Sequence, residues 1–563
     1  SDPVERINTI STLRQDIARE AEAKDPSIKA EVSEMFIGKS YVLFRYKTIE
    51  DVRLVYIPRQ DIGEFGGETD NWVWPRHTGD FSFLRAYVAP DGKPAKYSKD
   101  NVPYQPKKHL KVNPKGVEEN DFVFILGYPG RTFRHRPAQF IEYQQKFLLP
   151  YTSELYDYQN QQMALAGKED KATELALATR IKRNANVMKN YRGKLKGLRN
   201  IDLVATKKKD DQDLANFINS KPELKSKYGS LMQDIDNHYQ LVFSDAKREL
   251  WFNNLYSGIR TMYIASLINS FKAAISNHTS DSDRQKFFSL NIDNVKKQLN
   301  TIYESYNLTA DKNIAARMFA DAVELQGNHH IQTIQQKNFT DADQAVSYIQ
   351  QAIDNSKLNS AQSLYSTVLK DANSLLNYSD EALKFQQEVN AELTTYREEL
   401  KRRDGVLNRL MGDYVAMKEV FQSKNFIPDA NSTLRLTFGN IKGYSPADAT
   451  YMAPFTTVKG LIEKGNSGDP EFAYPQPIKE AWLAKNFGPY TRKGTDDVPV
   501  NILYNMDTTG GNSGSPIMNA YGELIGVNFD RSYDATINDF AWNESYSRSI
   551  GVDIRYVLWI ADK

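Results

Sequence analysis

Thr508-Thr509-Gly510-Gly511-Asn512-Ser513-Gly514-Ser515-Pro516 is followed by Ile517-Met518, a turn at Gly522-Glu523, and Leu524-Ile525-Gly526-Val527. A serine nucleophile needs an exposed hydroxyl and donors aimed at the carbonyl oxygen it attacks. Glycines ahead of Ser513 let the backbone turn so that two N–H groups, those of Gly511 and Ser513, face one point as an oxyanion hole. A strand, a glycine turn and a second strand then lead toward a side-chain pocket, the pattern of a chymotrypsin-like serine peptidase. The competing reading is a Gly/Ser-rich hairpin with no chemistry.

Strand signals flank this motif on both sides of the chain. Leu434-Arg435-Leu436-Thr437-Phe438 alternates with a two-residue period, and Ala520-Tyr521-Gly522-Glu523 is a turn signal. Far upstream, Tyr41–Tyr46 and Val52–Ile57 are rich in β-branched and aromatic residues. Phe122-Val123-Phe124-Ile125-Leu126 is an apolar run stopped by Gly127-Tyr128-Pro129-Gly130. The residues up to about Ala30 read as helix or loop. Between Pro150 and Pro428 only Pro222 interrupts the chain, and Ala, Leu, Lys, Gln and Glu dominate. Ala361, Leu364, Tyr365 and Val368 form a helical stripe. Helix breaks are expected near Asn277–Ser282 and Asn338–Asp341, and Lys207–Asp211 as a solvated helix end or loop. The expected organisation is a β lobe over 1–133, a helical cap over 134–425 and a second β lobe over 426–563. The fold class is α+β, a chymotrypsin-like double β-barrel with an inserted helical domain.

The bulk numbers agree and exclude several classes. A chain of 563 residues, 40% hydrophobic and 25% charged, is an ordinary globular composition with room for three or four structural units. Its 72 basic and 71 acidic residues leave a net charge of +1, which gives no reason to expect nucleic acid or an anionic membrane. No apolar run is long enough to span a bilayer. With no cysteine, disulfides, thiolate nucleophiles and zinc–thiolate sites are excluded. Ser1-Asp2-Pro3-Val4-Glu5-Arg6 lacks the basic start and apolar core of a signal peptide.

A serine hydroxyl needs a histidine, and the histidine a carboxylate. In chymotrypsin-like chains the order is His, Asp, Ser. Asp80, in Trp74-Pro75-Arg76-His77-Thr78-Gly79-Asp80-Phe81, suits the acid; the alternative is a turn aspartate. Of the seven histidines, only His77 precedes Asp80, and three residues are too few to bring it from a separate loop. The catalytic histidine is therefore expected upstream of residue 1, with this chain a fragment.

Four strings carry a family resemblance: Thr69-Asp70-Asn71-Trp72-Val73-Trp74-Pro75-Arg76-His77-Thr78-Gly79-Asp80; Gly127-Tyr128-Pro129-Gly130-Arg131-Thr132; Pro428 through Gly439; and the nucleophile string with Asn528-Phe529-Asp530-Arg531. In this order they resemble peptidase family S46, the bacterial dipeptidyl-peptidases typified by types 7 and 11. The resemblance implies a double β-barrel under a helical cap and release of N-terminal dipeptides. It implies a homodimer in the periplasm or at the surface of a Gram-negative bacterium, with no metal or cofactor. It places Asn71, Trp72, Asp530 and Asn186 around the substrate ammonium, a charge that needs acceptors when buried. It places Arg531 in the S1 pocket, where arginine goes with Asp or Glu at the second substrate residue and glycine with a hydrophobic one. A guanidinium fork matches a carboxylate in bidentate fashion. Arg531 could instead fold out to solvent or pair with Asp530 or Asp534. The alternatives in function are a hydrophobic preference of the type 7 kind, a non-catalytic peptide-binding homologue and, less favoured, a quality-control endopeptidase.

Overall fold

The computed structural model describes residues 2–325 and 327–563. The chain divides into two compact units. One contains the residues up to Ile141, Gly193–Met232 and Gly405–Lys563; the other contains Glu142–Arg192 and Gln233–Asp404.

The first unit opens with a helix, Pro3–Lys24, whose amides of Val4 and Glu5 are capped by Asp2. Its strands, in chain order, are β1 (Lys29–Phe36), β2 (Ser40–Tyr46), β3 (Asp51–Tyr56), β4 (Phe83–Val88), β5 (Val102–Pro103), β6 (Phe122–Gly127), β7 (Arg435–Asn440), β8 (Tyr444–Ala447), β9 (Thr450–Met452), β10 (Phe455–Thr457), β11 (Pro499–Tyr504), β12 (Pro516–Asn519), β13 (Leu524–Arg531) and β14 (Ser549–Asp553). Seven of them form one sheet in the order β10-β11-β14-β13-β12-β6-β7, all neighbours antiparallel. β11 and β14 are buried along their whole length, as expected of central strands covered on both faces. One cover includes Val123, Ile125, Ile502, Tyr504, Met506, Ile517 and Ile525. The other includes Val500, Val552, Tyr556 and Trp559.

The edge pair β6–β7 shows the two-residue period plainly. Val123 and Ile125 are fully buried, whereas Phe122, Leu126, Leu436 and Phe438 are exposed. β3, β4 and β5 make a separate three-stranded sheet on which Val52, Leu54, Val55 and Leu84 are exposed. No closed barrel forms among the described residues.

The second unit is helical, and its core joins Trp251, Phe252, Phe319, Phe385 and Tyr396. Helix Arg260–Ser276 ends and Asp281–Tyr303 begins at one expected break; Ala342–Asp354 begins at the other. One expectation is overturned. Lys207–Asp211 lies inside helix Leu203–Ser220 of the first unit, with Lys207 and Asp211 both buried. Lys207 donates to the carbonyls of Arg134 and Arg136, and Asp211 accepts from the Tyr414 hydroxyl at 2.5 Å and the Ala138 amide at 2.8 Å. The polar run in the sequence is two inward and three outward side chains of one helix, which a count of charges cannot separate.

Candidate active site

Gly127 ends β6, and the pairing of Ile125 with Ile517 lays the loop after β6 beside the turn before β12. That turn is Gly510–Gly514. The amide of Gly130 donates to the Gly510 carbonyl at 2.6 Å. Gly511 has φ +103° and Gly514 φ +80°, backbone that favours glycine. A Cβ on Gly511 would stand 2.5 Å from the Tyr128 carbonyl oxygen.

Two buried asparagines stake the turn. Asn512 accepts from the Thr509 amide through Oδ1. Asn528 donates to the Asn512 carbonyl at 3.0 Å and accepts from the Tyr504 hydroxyl at 2.6 Å. The amides of Asn512, Gly514 and Ser515 are bonded to the Thr509, Asn528 and Asn512 carbonyls. Those of Gly511 and Ser513 donate to nothing among the described residues. Ser513 is exposed, and its hydroxyl donates to the Phe529 carbonyl at 3.0 Å.

Asp80 is exposed ahead of β4. His77 is buried, with no partner for Nδ1 among the described residues and with Nε2 where a side chain on Gly460 would sit. Burial, helped by Lys464, pulls its pKa from 6.5 to about 3. No histidine is hydrogen-bonded to Ser513 among the described residues. His77 thus packs as a neutral ring, with consequences for acid stability. The unfolded chain protonates it near pH 6.5 and the folded chain only near 3. Its contribution is fully present above pH 6.5 and is lost as pH falls toward 3, by about 1.4 kcal/mol per pH unit. Between pH 7 and 5, His77→Gln should lose about 2 kcal/mol less stability than the parent, read from urea midpoints. Equal slopes would contradict this.

Asn71 and Trp72 precede the buried Arg76. Trp72 holds φ +63°, unusual for a bulky residue, and its amide donates to Asp530 Oδ2 at 3.2 Å. The same oxygen accepts from Arg76 Nη1 at 2.7 Å, and Oδ1 accepts from the Arg531 amide at 2.8 Å. Three of roughly four acceptor sites on this carboxylate are therefore in use. Asn71 donates to Glu68 at 3.2 Å. Asn186 is exposed on helix Lys171–Ile201, in the second unit.

Arg531 is 4% exposed, and its guanidinium lies 5.4 Å from the Trp72 ring centroid. Its partner is neither Asp530 nor Asp534. Asp530 answers Arg76; Asp534 answers the Tyr444 hydroxyl at 3.1 Å and Lys196 at 3.6 Å. Arg531 Nη1 donates instead to Asp539 Oδ1 at 3.0 Å and to the Thr508 carbonyl at 3.1 Å. Asp539 also accepts from the Thr509 hydroxyl at 2.5 Å and pairs with Lys194 at 2.6 Å. Burial works to raise the Asp539 pKa, but Arg531 and Lys194 hold it well below the usual carboxylate range. Arg134 braces the same region, bridging Asp507 and the Asn538 carbonyl. Sequence reasoning missed Asp539, Lys194 and Arg134, since only the fold brings Asp539 to Arg531, Lys194 to Asp539, and Arg134 to Asp507 and Asn538.

An exposed serine on a glycine turn, with open amides beside it, is the arrangement of an acyl-transfer hydrolase. The chain belongs to peptidase family S46: the family model described as Peptidase S46 matches residues 1–563. It is 30% identical over 609 residues to an Asp/Glu-specific dipeptidyl-peptidase of Shewanella putrefaciens, covering 100% of this chain and 79% of that protein. It is 34% identical to dipeptidyl-peptidase 7 of Capnocytophaga gingivalis over 94% of this chain and 73% of the relative. The crystal structure of Porphyromonas endodontalis DPP11 in complex with the dipeptide Arg-Glu superposes with a TM-score of 0.84 at 30% identity, covering 98% of this chain and 78% of that one.

Proposed function

We propose that this peptidase releases dipeptides from the free N-terminus of peptides, cutting after Asp or Glu. Overall identity does not choose between the two specificities, because Capnocytophaga gingivalis relatives named for each are 33% and 34% identical to this chain. The observation that carries the choice is Arg531, a buried guanidinium on the strand whose Phe529 carbonyl holds the Ser513 hydroxyl. A glycine there would remove the guanidinium that can meet a substrate carboxylate. The DPP11 structures with Arg-Glu and Arg-Asp support the same reading.

In the proposed mechanism Ser513 Oγ attacks the carbonyl after the second substrate residue. The amides of Gly511 and Ser513 receive the oxyanion. Asp80 orients the histidine general base that a serine nucleophile of this kind requires. Asn71, Trp72 and Asp530 receive the substrate ammonium, and Arg531 the second residue's carboxylate. A chymotrypsin-like pair of lobes, a homodimer and a periplasmic or cell-surface location in a Gram-negative bacterium belong to the same proposal and rest on the family resemblance.

The test is kcat/KM on fluorogenic dipeptides ending in Asp, Glu, Leu and Met, with Ser513→Ala as control. Preference for Asp and Glu is expected. Preference for Leu or Met would discard the role of Arg531, and silence on all four would favour a peptide-binding homologue. Gly511→Ala should lower kcat by about 10²–10³-fold with little change in KM, because a side chain there displaces an oxyanion donor. Unchanged kcat would remove Gly511 from the oxyanion hole.

A further inference from the structure

Asp539 is shared between two cations. Oδ1 takes Arg531 and Oδ2 takes Lys194, and the side chains of Arg531, Asp539 and Lys194 are only 5%, 12% and 10% exposed. Two buried cations thus share one carboxylate, in a low-dielectric interior where charge imbalance costs stability. A methionine at 194 would leave the Arg531–Asp539 pair balanced. The fold instead keeps a second cation on the carboxylate that holds the residue proposed to read the substrate.

The guanidinium itself is half engaged. Nη1 is bonded to Asp539 and to the Thr508 carbonyl. Nε is buried without a partner, and Nη2 makes no hydrogen bond among the described residues. Nε and Nη2 form one two-pronged edge, the geometry that accepts a carboxylate side-on. With only Asp539 beside it, Arg531 would meet that carboxylate as part of a neutral pair. Lys194 cancels the charge of Asp539 from the far oxygen.

We propose that Lys194 is a specificity-determining residue for acidic second residues, and that Asp539 is the positioning residue that aims Arg531 between Trp72 and the nucleophile turn. The proposal rests on the acidic specificity argued above and names what sets its strength. Lys194 acts through the field at Arg531, so its removal weakens discrimination rather than binding in general.

The experiment is calorimetric titration of the enzyme with the dipeptides Arg-Asp and Arg-Met, and the readout is the ratio of their Kd values. The parent should favour Arg-Asp. Lys194→Met should shrink that preference by about tenfold or more, and Lys194→Arg should keep it within about threefold. Asp539→Asn, which keeps the shape and one acceptor but removes the anion, should raise it. A folded Lys194→Met with the parent's ratio overturns the proposal, since a merely structural lysine would weaken both dipeptides alike. If Lys194→Met does not fold, Asp539→Asn decides, and a ratio that fails to rise overturns it. A parent without preference would sink the acidic reading of Arg531 itself, and this proposal with it; a parent with preference but an insensitive ratio sinks only the role of Lys194.

Discussion

Ser513→Ala is expected to lower kcat on X-Asp substrates by about 10⁵–10⁶-fold, with dipeptide binding retained. The hydroxyl is the only part of the turn that forms and breaks a covalent bond in the proposed reaction. Its present partner is the Phe529 carbonyl, an acceptor that keeps its proton rather than removing it. The turn does not depend on that hydrogen bond for its shape. Asn512, Asn528 and the Gly130–Gly510 contact hold it independently. Alanine should therefore fold as the parent does, and the loss should fall on kcat alone. Titration with Arg-Asp and single-turnover hydrolysis separate the two quantities. A variant that still cleaves within about a hundredfold of the parent would mean that the nucleophile is another group.

Arg531→Gly is expected to cost about 2–5 kcal/mol in transition-state binding of X-Asp and X-Glu substrates, roughly 30- to several-thousand-fold in kcat/KM. The effect is large because the guanidinium is 4% exposed, so water cannot take its place at low cost. Selectivity should move toward Leu and Met. The fold should survive the change, since Asp539 keeps Lys194 at 2.6 Å and the Thr509 hydroxyl. Parallel kcat/KM measurements on the four substrates check it. X-Asp activity equal to the parent's would exclude Arg531 as the reader of acidic residues.

Local features were legible in the sequence where local chemistry decides them. The turn at Ser513 announces itself because few residues other than glycine hold the conformations of Gly511 and Gly514. The strands around Ile125, Leu436 and Val527 were readable from alternation and turn residues, and the helical stretch from its lack of proline. What escaped depends on chain segments far apart. Asp539 was passed over for Asp530 and Asp534, which are nearer in sequence but face Arg76 and Tyr444. Lys194 lies more than 300 residues before the carboxylate it meets. Lys207 and Asp211 look solvated in a charge run and are buried, because their carbonyl, hydroxyl and amide partners come from other segments.

β13 carries three successive duties in the proposed site: the Phe529 carbonyl faces the nucleophile, Asp530 the substrate amine and Arg531 its second side chain. Pairing with β14 slips by one residue between Asn528 and Asp530, a bulge of the kind that re-aims a side chain beside an active site. The strand then behaves as a ruler with fixed graduations of about 3.3 Å per residue. In the proposed site, peptide length would be measured along its backbone and peptide identity read by Arg531 at its end, with Lys194 setting the strength of that reading. Product size and product sequence thus become separate traits. A lineage could change which peptides it harvests by point substitution at 531 without altering where, counted from the amine, it cuts.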